Sequence, residues 1–190
     1  MQKVEESLFL KGKFLIAMPG ILDFRFTESV IYICDHNSEG AMGLSLNSFS
    51  KDMDFLGLIN QLNLSPIDIN INFRVLCGGP VETTRGFVLH SLDYKNEDTI
   101  EINNQVGLTA SFKIIEDIIN KKGPKKLIFT LGYTGWGAGQ LEEEMQRNVW
   151  LSSEADIKIL FNKDPKSIRN QILEKLGISI SSLSLESGKA

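Results

Sequence analysis

The sequence predicts an α+β fold in which a mainly antiparallel or mixed sheet is flanked by about four helices. Short apolar runs that are typical of strands fill much of the first half of the chain. Helical periodicity occurs in separate stretches, and these do not alternate regularly with the strands as they would in a doubly wound fold. The 190 residues suit one domain and contain no repeat, so we expect a single domain over residues 1–190.

The chain begins with a predicted hairpin and a helix. Strands are predicted at residues 13–18, 29–36 and 41–47, and the turn-prone sequence NSEG joins the last two into a hairpin. The period then changes, because the apolar residues of segment 50–63 recur at helical spacing. We therefore expect a helix to follow the hairpin.

The middle of the chain predicts a second hairpin. Residues 73–79 and 85–91 are both strand-like, and Pro80 between them cannot donate to a ladder, which favours a turn or an edge. Residues 99–103 are predicted to pair briefly.

A helix, a strand and another helix are predicted next. Ser111 is a candidate cap for a helix over residues 112–122, which the dipeptide Gly-Pro ends. A strand over residues 126–133 leads into a glycine-rich turn, and a helix opens near Gly139.

The last elements are predicted to be a strand over residues 157–161 and a helix. Asp164 and Pro165 mark the start of this helix, and Gly177 marks its end. Its apolar stripe is predicted to contain Ile168, Ile172, Leu173 and Leu176.

Charge and hydropathy exclude several classes of protein. The formal net charge of −4 argues against direct nucleic-acid binding, which requires clustered Lys and Arg. The apolar stretch 14–22 is short and contains Pro19 and Gly20, so we expect no membrane span. Glu5 and Glu6 precede the apolar run and no small-residue cleavage pattern follows it, so we also expect no signal peptide and a cytoplasmic location. Cys34 and Cys77 lie in strand-like runs and are expected to be buried thiols.

The segment GYTGWGAGQLEEE has the strand, glycine turn and helix order of a phosphate-binding loop. Glu142, Glu143 and Glu144 in the first helical turn would repel a phosphate, and the Lys and hydroxyl residues of a P-loop are missing. We therefore interpret the glycines as structural and expect no cofactor.

Polar residues are predicted to face inward on the same helix. Leu141, Met145 and Val149 define the inward side of a helix that continues past residue 148, and Glu144 and Asn148 fall near its centre. A buried Glu needs a partner, which Arg85 or a turn backbone could supply. A structural ion pair and a catalytic acid both remain open for Glu144.

The two histidines, His36 and His90, and the two cysteines raise the question of a metal or thiolate site. Structural zinc sites usually contain closely spaced cysteine pairs, which are absent here, so no metal is expected. A Cys34–His36 nucleophile lacks an orienting third group, and we expect satisfied histidines at strand ends. Tyr133 and Trp136 could form a binding platform or fill the core.

Four ordered blocks of the sequence resemble the AlgH/YqgE-like family of bacterial proteins, some of which carry a transcriptional-regulator label. The blocks span residues 10–47, 77–90 and 131–151 and the closing sequence LFNKDPKSIRNQILEKLGI. The resemblance implies an α+β fold with a curved, partly barrel-like sheet surrounded by helices. It implies no established activity. The positions that match the characteristic surface of the family are His36, Asn47, Gly78, Gly79, Pro80, Arg85, His90, Gly132, Tyr133, Trp136, Gly139, Gln140, Glu144 and Asn148.

These observations favour a non-enzymatic cytoplasmic regulatory or binding module, with a patch formed by the GGPV and GYTGWG turns and an unknown small-molecule or protein partner. Catalytic residues remain unknown. One alternative is a small hydrolase or transferase that uses Glu144 with His36 or His90. Another is a transcriptional regulator that acts through DNA or a protein partner, although no basic recognition helix is present.

Overall fold

The computed structural model describes residues 9–50, 57 and 75–179 of the chain. These residues contain nine strands and four α-helices with defined bounds, which confirms the predicted α+β class. The chain divides into two compact units: residues 1–47 with 135–190 form unit 1, and residues 48–134 form unit 2. In the described part of the chain, no helix combines the length and the apolarity needed to cross a bilayer.

Unit 1 is built on an antiparallel sheet. Its strands are β1 (Lys13–Ala17), β2 (Val30–Asn37), β3 (Gly40–Ser45) and β9 (Trp150–Glu154). β2 pairs with both β1 and β3, and β9 pairs with the other side of β1. The predicted β2–β3 hairpin is therefore confirmed. The core strands β1 and β2 are almost entirely buried, which explains their near-continuous apolar sequences.

Unit 2 contains β4 (Val75–Cys77), β5 (Val81–Ser91), β6 (Ile100–Glu101), β7 (Val106–Thr109) and the first part of β8 (Leu127–Gly137). β5 lies between β7 and β8 and pairs antiparallel with both.

The hairpin predicted from residues 73–79 and 85–91 is wrong. β4 pairs with β8 in parallel instead, with Val75 opposite Phe129. Both antiparallel partners of β5 come from later in the chain. One of them, β7, is absent from the predicted strands, whereas the brief strand predicted at residues 99–103 is confirmed as β6.

Helix α1 (Phe112–Ile119) covers the sheet of unit 2. Its buried face, Ile114, Ile115, Ile118 and Ile119, packs against Val75, Val88, Phe129 and Leu131. Ser111 stands at the N-cap position, but its side chain makes no capping hydrogen bond, so the predicted cap is wrong in this respect.

The segment predicted as the GYTGWG turn is strand. β8 continues to Gly137, and only residues 138–139 separate it from helix α2 (Gln140–Gln146). Gly139 has φ +73°, and a Cβ at this position would have no neighbour within 4 Å, so glycine is required here by conformation rather than by space. Gly139 stands at the N-cap of α2 in this left-handed conformation.

The last elements differ from the predictions in two respects. Residues 157–160 form helix α3 (Ile157–Leu160) rather than a strand, because Asp156 caps it by accepting from Lys158 N. A 3₁₀ turn, Pro165–Ser167, then leads into α4 (Ile168–Lys175), as Asp164 and Pro165 predict. Leu176 is exposed and does not join the buried stripe.

The helix predicted over residues 50–63 lies almost wholly outside the described residues. Gly57 alone is described within it, and it is helical.

Candidate functional site

A carboxylate held between two indoles is the central feature of unit 1. Oε2 of Glu144 accepts hydrogen bonds from Trp136 Nε1 at 2.9 Å and from Trp150 Nε1 at 2.7 Å. Trp136 lies near the end of β8, Glu144 lies in α2, and Trp150 begins β9. Three successive elements therefore converge on one oxygen atom.

Gln140 completes the environment of this carboxylate. Its side-chain oxygen accepts from Gly137 N at 3.0 Å, and its Nε2 donates to Glu144 Oε1 at 2.9 Å. The Gly137 N–H can only donate, so it fixes the orientation of the Gln140 amide. Every side-chain hydrogen bond to the Glu144 carboxylate thus comes from an N–H donor, and both carboxylate oxygens accept at least one of them.

Aromatic rings extend the cluster towards the loop between β1 and β2. The rings of Trp136 and Trp150 meet edge to face with centroids 6.0 Å apart, and Phe26 meets Trp150 in the same way at 5.9 Å. Edge-to-face contacts of this kind are the favoured geometry for aromatic pairs. We call Phe26, Trp136, Glu144 and Trp150 the tryptophan–glutamate cluster.

His36 is buried at the end of β2, and both of its ring nitrogens are occupied. Nδ1 accepts from Leu10 N at 3.0 Å, so Nε2 carries the proton and donates to Glu142 Oε1, also at 3.0 Å. The ring of Phe9 meets the imidazole edge to face. The sequence pairs His36 with Glu144 in its enzyme alternative, whereas the structure pairs it with Glu142, two residues earlier.

The inward orientation predicted for Glu144 agrees with its half-buried position, but the predicted partners are wrong. Arg85 is exposed, forms an ion pair with Glu82 at 2.9 Å and lies over the ring of Phe87. The partners of Glu144 are neutral indole and amide groups, which hold a carboxylate without a counter-charge.

The prediction that Asn148 lies on the inward face of the same helix is also wrong. α2 ends at Gln146, and Asn148 is an exposed residue with φ +55° in the turn that precedes β9. Asparagine tolerates this left-handed conformation better than most residues. The turn brings Trp150 back towards Glu144.

Gly78 and Gly79 are buried in unit 2 and pack against the backbone of β8. A Cβ at Gly78 would lie 2.2 Å from Gly132 O, and one at Gly132 would lie 2.5 Å from Gly79 O. Gly78 N donates to Leu131 O at 2.8 Å. The glycines therefore allow two backbone segments to approach more closely than side chains permit.

Three other predicted residues have surroundings of their own. Pro80 is exposed after the two glycines, and Tyr133 is half-buried with its ring edge to face against Phe87. Asn47, in unit 1, accepts from Val30 N and donates to Glu28 O, which secures the positive-φ residue Glu28.

His90 is completely buried in unit 2, in a network separate from the other predicted residues. Its Nδ1 faces Ser91 O at 3.1 Å, and its Nε2 faces Thr109 Oγ1 at 2.9 Å. Thr109 Oγ1 also meets Thr99 Oγ1 at 2.9 Å. Burial lowers the pKa of His90, although the Ser91 carbonyl and the Asp93 charge oppose this shift.

The cysteines and histidines do not assemble a metal site in the described residues, where no group of three potential ligands occurs. Cys34 is buried as expected, while Cys77 is only half-buried. Sequence reasoning misses Glu142 as the partner of His36 and Trp150 as the second donor to Glu144. An apolar stripe interrupted by Glu144, with a Trp on either side, is the pattern that could have indicated this cluster.

Residues 14–181 match the model of the AlgH-like family. A UPF0301 protein of Rhodospirillum rubrum is 42% identical over 182 residues, with 96% of this chain and 95% of the relative covered. A UPF0301 protein of Nitrobacter hamburgensis is 46% identical over 190 residues, covering 96% of this chain and 88% of the relative.

Two solved structures are also similar to this chain. The AlgH protein of Pseudomonas aeruginosa is 37% identical to this chain, with a TM-score of 0.79 and coverage of 96% of each chain. A protein of Corynebacterium diphtheriae is 16% identical with a TM-score of 0.70, covering 95% of this chain and 92% of the other, which indicates a shared fold.

Proposed function

We propose that this chain, which belongs to the AlgH-like family, is a non-enzymatic binding module that docks a protein partner through the loop between β1 and β2. The loop residues Leu22 and Phe24, which we call the apolar tip, would enter an apolar pocket on the partner. A cytoplasmic location is part of the same proposal.

The exposure of the apolar tip is the observation that carries this proposal. Leu22 is 99% exposed and Phe24 is 84% exposed. Each exposed large apolar side chain forfeits about 1.5–3 kcal/mol that burial would provide. Leu22 and Phe24 are two residues apart, so one partner surface can cover both. Removing both side chains from water would then stabilise the complex.

Local contacts fix the backbone on which the apolar tip stands. Asp23 caps the 3₁₀ turn Phe24–Phe26 by accepting from Arg25 N, and its carboxylate also pairs with the Arg25 guanidinium. Phe26 then packs on Trp150 of the tryptophan–glutamate cluster. A loop ordered before binding loses less entropy when a partner docks.

The polar atoms of Glu144 and His36 already have hydrogen-bond partners within the protein. This supports a binding role over the hydrolase or transferase alternative. Glu144 receives three hydrogen bonds, and neither nitrogen of His36 is free. A general base needs an atom within reach of the proton that it removes. The cluster is better suited to hold the loop than to transfer protons.

The test is affinity capture from a bacterial cell extract with the wild type and a Leu22→Ser/Phe24→Ser variant, followed by titration of each captured protein after purification. We expect a stoichiometric partner whose affinity falls about tenfold or more in the double variant. Because both side chains are exposed, the free energy of unfolding should change by less than about 0.5 kcal/mol.

Ile100→Ser provides the matched control, because Ile100 is 58% exposed but lies on β6 in unit 2. Equal capture by the wild type and the double variant would contradict docking through the apolar tip. Turnover of a defined substrate that Glu144→Gln abolishes, with folding intact, would favour the enzyme alternative. Binding to DNA that weakens steeply with salt would favour the nucleic-acid alternative.

A further inference from the structure

Arg169 is a buried cation in unit 1. Among residues 9–50, 57 and 75–179, it is the one Arg, Lys, Asp or Glu that is buried, with 8% of its surface exposed. It is the second residue of α4, between the buried residues Ile168 and Ile172. An Arg is seldom buried to this extent without a paired charge.

In the described part of the chain, this side chain has no counter-ion. Within the described residues, no carboxylate lies within 4.0 Å of the Arg169 guanidinium, and its Nε has no hydrogen-bond partner. The carboxylate of Asp156, which caps the neighbouring helix α3, is paired with Lys175 at 2.7 Å instead. The Oδ1 atom of Asp164 accepts from Lys166 N.

An unpaired guanidinium in this position is energetically unfavourable. Withdrawing a cation from water without a counter-charge beside it is unfavourable. The position adds a second unfavourable contribution, because Arg169 lies in the first turn of α4, where the helix dipole is positive. Both effects favour an anion at this point.

The geometry of the guanidinium indicates how an anion would be held. Nε is enclosed by protein and unpaired, whereas neither Nη atom is both enclosed and unpaired. Two Nη donors form a planar fork that matches two oxygens of a carboxylate or a phosphate.

We propose that Arg169 is the anchor of an oxyanion-binding site at the N-terminal end of α4, which takes a phosphate or carboxylate group on its Nη fork. The oxyanion neutralises the buried charge and interacts favourably with the positive end of the helix dipole. This site is independent of the apolar tip.

The experiment titrates inorganic phosphate into the 190-residue protein, against sodium chloride at matched ionic strength, and follows the midpoint of thermal unfolding. A saturable rise that chloride does not reproduce is expected, because an anion bound only by the folded state stabilises it by mass action. Acetate is titrated in the same way to distinguish a phosphate site from a carboxylate site.

Arg169→Met keeps most of the side-chain volume and removes the charge. It should weaken phosphate binding about tenfold to a hundredfold, which corresponds to the loss of hydrogen bonds to a charged group. Arg147→Met is the control, because Arg147 is an exposed arginine of the same unit whose Nη2 lies 3.9 Å from Glu143. That variant should bind phosphate as the wild type does.

A second measurement tests the site in the wild-type protein and does not depend on whether Arg169→Met folds. The guanidinium resonances of the wild type are followed by nitrogen NMR during the same titrations, and a saturable shift is expected at Arg169 but not at Arg147. The proposal is overturned if neither anion produces a saturable shift at Arg169, or if the folded Arg169→Met variant responds to both anions as the wild type does.

Discussion

Trp150 donates its indole N–H to Glu144 at 2.7 Å, across the turn that joins α2 to β9. Trp136 donates to the same oxygen from the preceding strand. The carboxylate therefore ties together three elements that follow one another in the chain. Removing it would leave two indole donors without a partner in a largely buried site.

We expect Glu144→Ala to lower the free energy of unfolding by about 2–4 kcal/mol, because each buried donor left unpaired costs about 1–3 kcal/mol. Urea denaturation of the purified protein measures this change. Glu143→Ala is the control, since Glu143 is an exposed neighbour whose loss should cost less than about 0.5 kcal/mol. Equal stability of the two variants would show that the indole contacts contribute little.

Gly132 and Gly139 separate the effect of a close backbone approach from that of a positive φ. Their φ angles are +71° and +73°, but a Cβ at Gly132 would lie 2.5 Å from Gly79 O, whereas the space at Gly139 is open. Gly139→Ala should therefore cost about 1–2 kcal/mol from conformation alone. Gly132→Ala should cost more than about 4 kcal/mol and yield little folded protein.

Circular dichroism and the midpoint of thermal unfolding measure both variants. Similar losses at the two positions would mean that β8 shifts away from the Gly78–Gly79 segment at little cost.

The lowered pKa of His90 predicts a loss of stability in mild acid. Burial disfavours the imidazolium form in the folded protein, so the unfolded chain binds more protons at pH values between the folded pKa and the ordinary histidine pKa of 6.5. The contribution of neutral His90 to the free energy of unfolding is complete above pH 6.5, and it is lost as the pH falls through the lowered pKa of the folded state. His90→Gln should remove this part of the pH dependence.

Urea denaturation from about pH 8 to about pH 5 compares the wild type with His90→Gln. The variant should have the smaller loss of unfolding free energy on acidification. An equally steep loss in both proteins would place the responsible group elsewhere.

The cysteines should differ in reactivity. Burial is the main cause that raises the pKa of the Cys34 thiol, and the charge of Asp35 adds to this shift. The thiolate is the reactive form, so iodoacetamide should modify the half-buried Cys77 and leave Cys34 intact in the native protein. Peptide mass spectrometry measures both sites, and labelling in denaturant is the control. Prompt native modification of Cys34 would contradict its burial.

Local sequence signals predict the elements whose partners are close in the chain. The β2–β3 hairpin follows from two short strand-like apolar runs and the NSEG turn between them, and α1 follows from four isoleucines at helical spacing. β4 has three residues and finds its partner about fifty residues later in β8, so no local signal specifies the pairing. For α3, the β-branched residues favour a strand, but the Asp156 cap and packing prevail.

The candidate site is predictable to a similar extent. Helical periodicity places Glu144 on the inward side, but it does not show where the helix ends, so it assigns Asn148 to the wrong element. Periodicity also does not identify hydrogen-bond partners that lie on other elements. Trp150 and Glu142 therefore become recognisable only when β8, α2, β9 and β2 are in place.

The chain contains two tryptophans, and both donate to Glu144. The tryptophan fluorescence of this protein therefore originates from a single location, without background from indoles elsewhere. Its emission spectrum and lifetime will report on the hydration of that location alone. A docking event at the neighbouring loop could then be followed in unlabelled protein, through an emitter that the sequence itself provides.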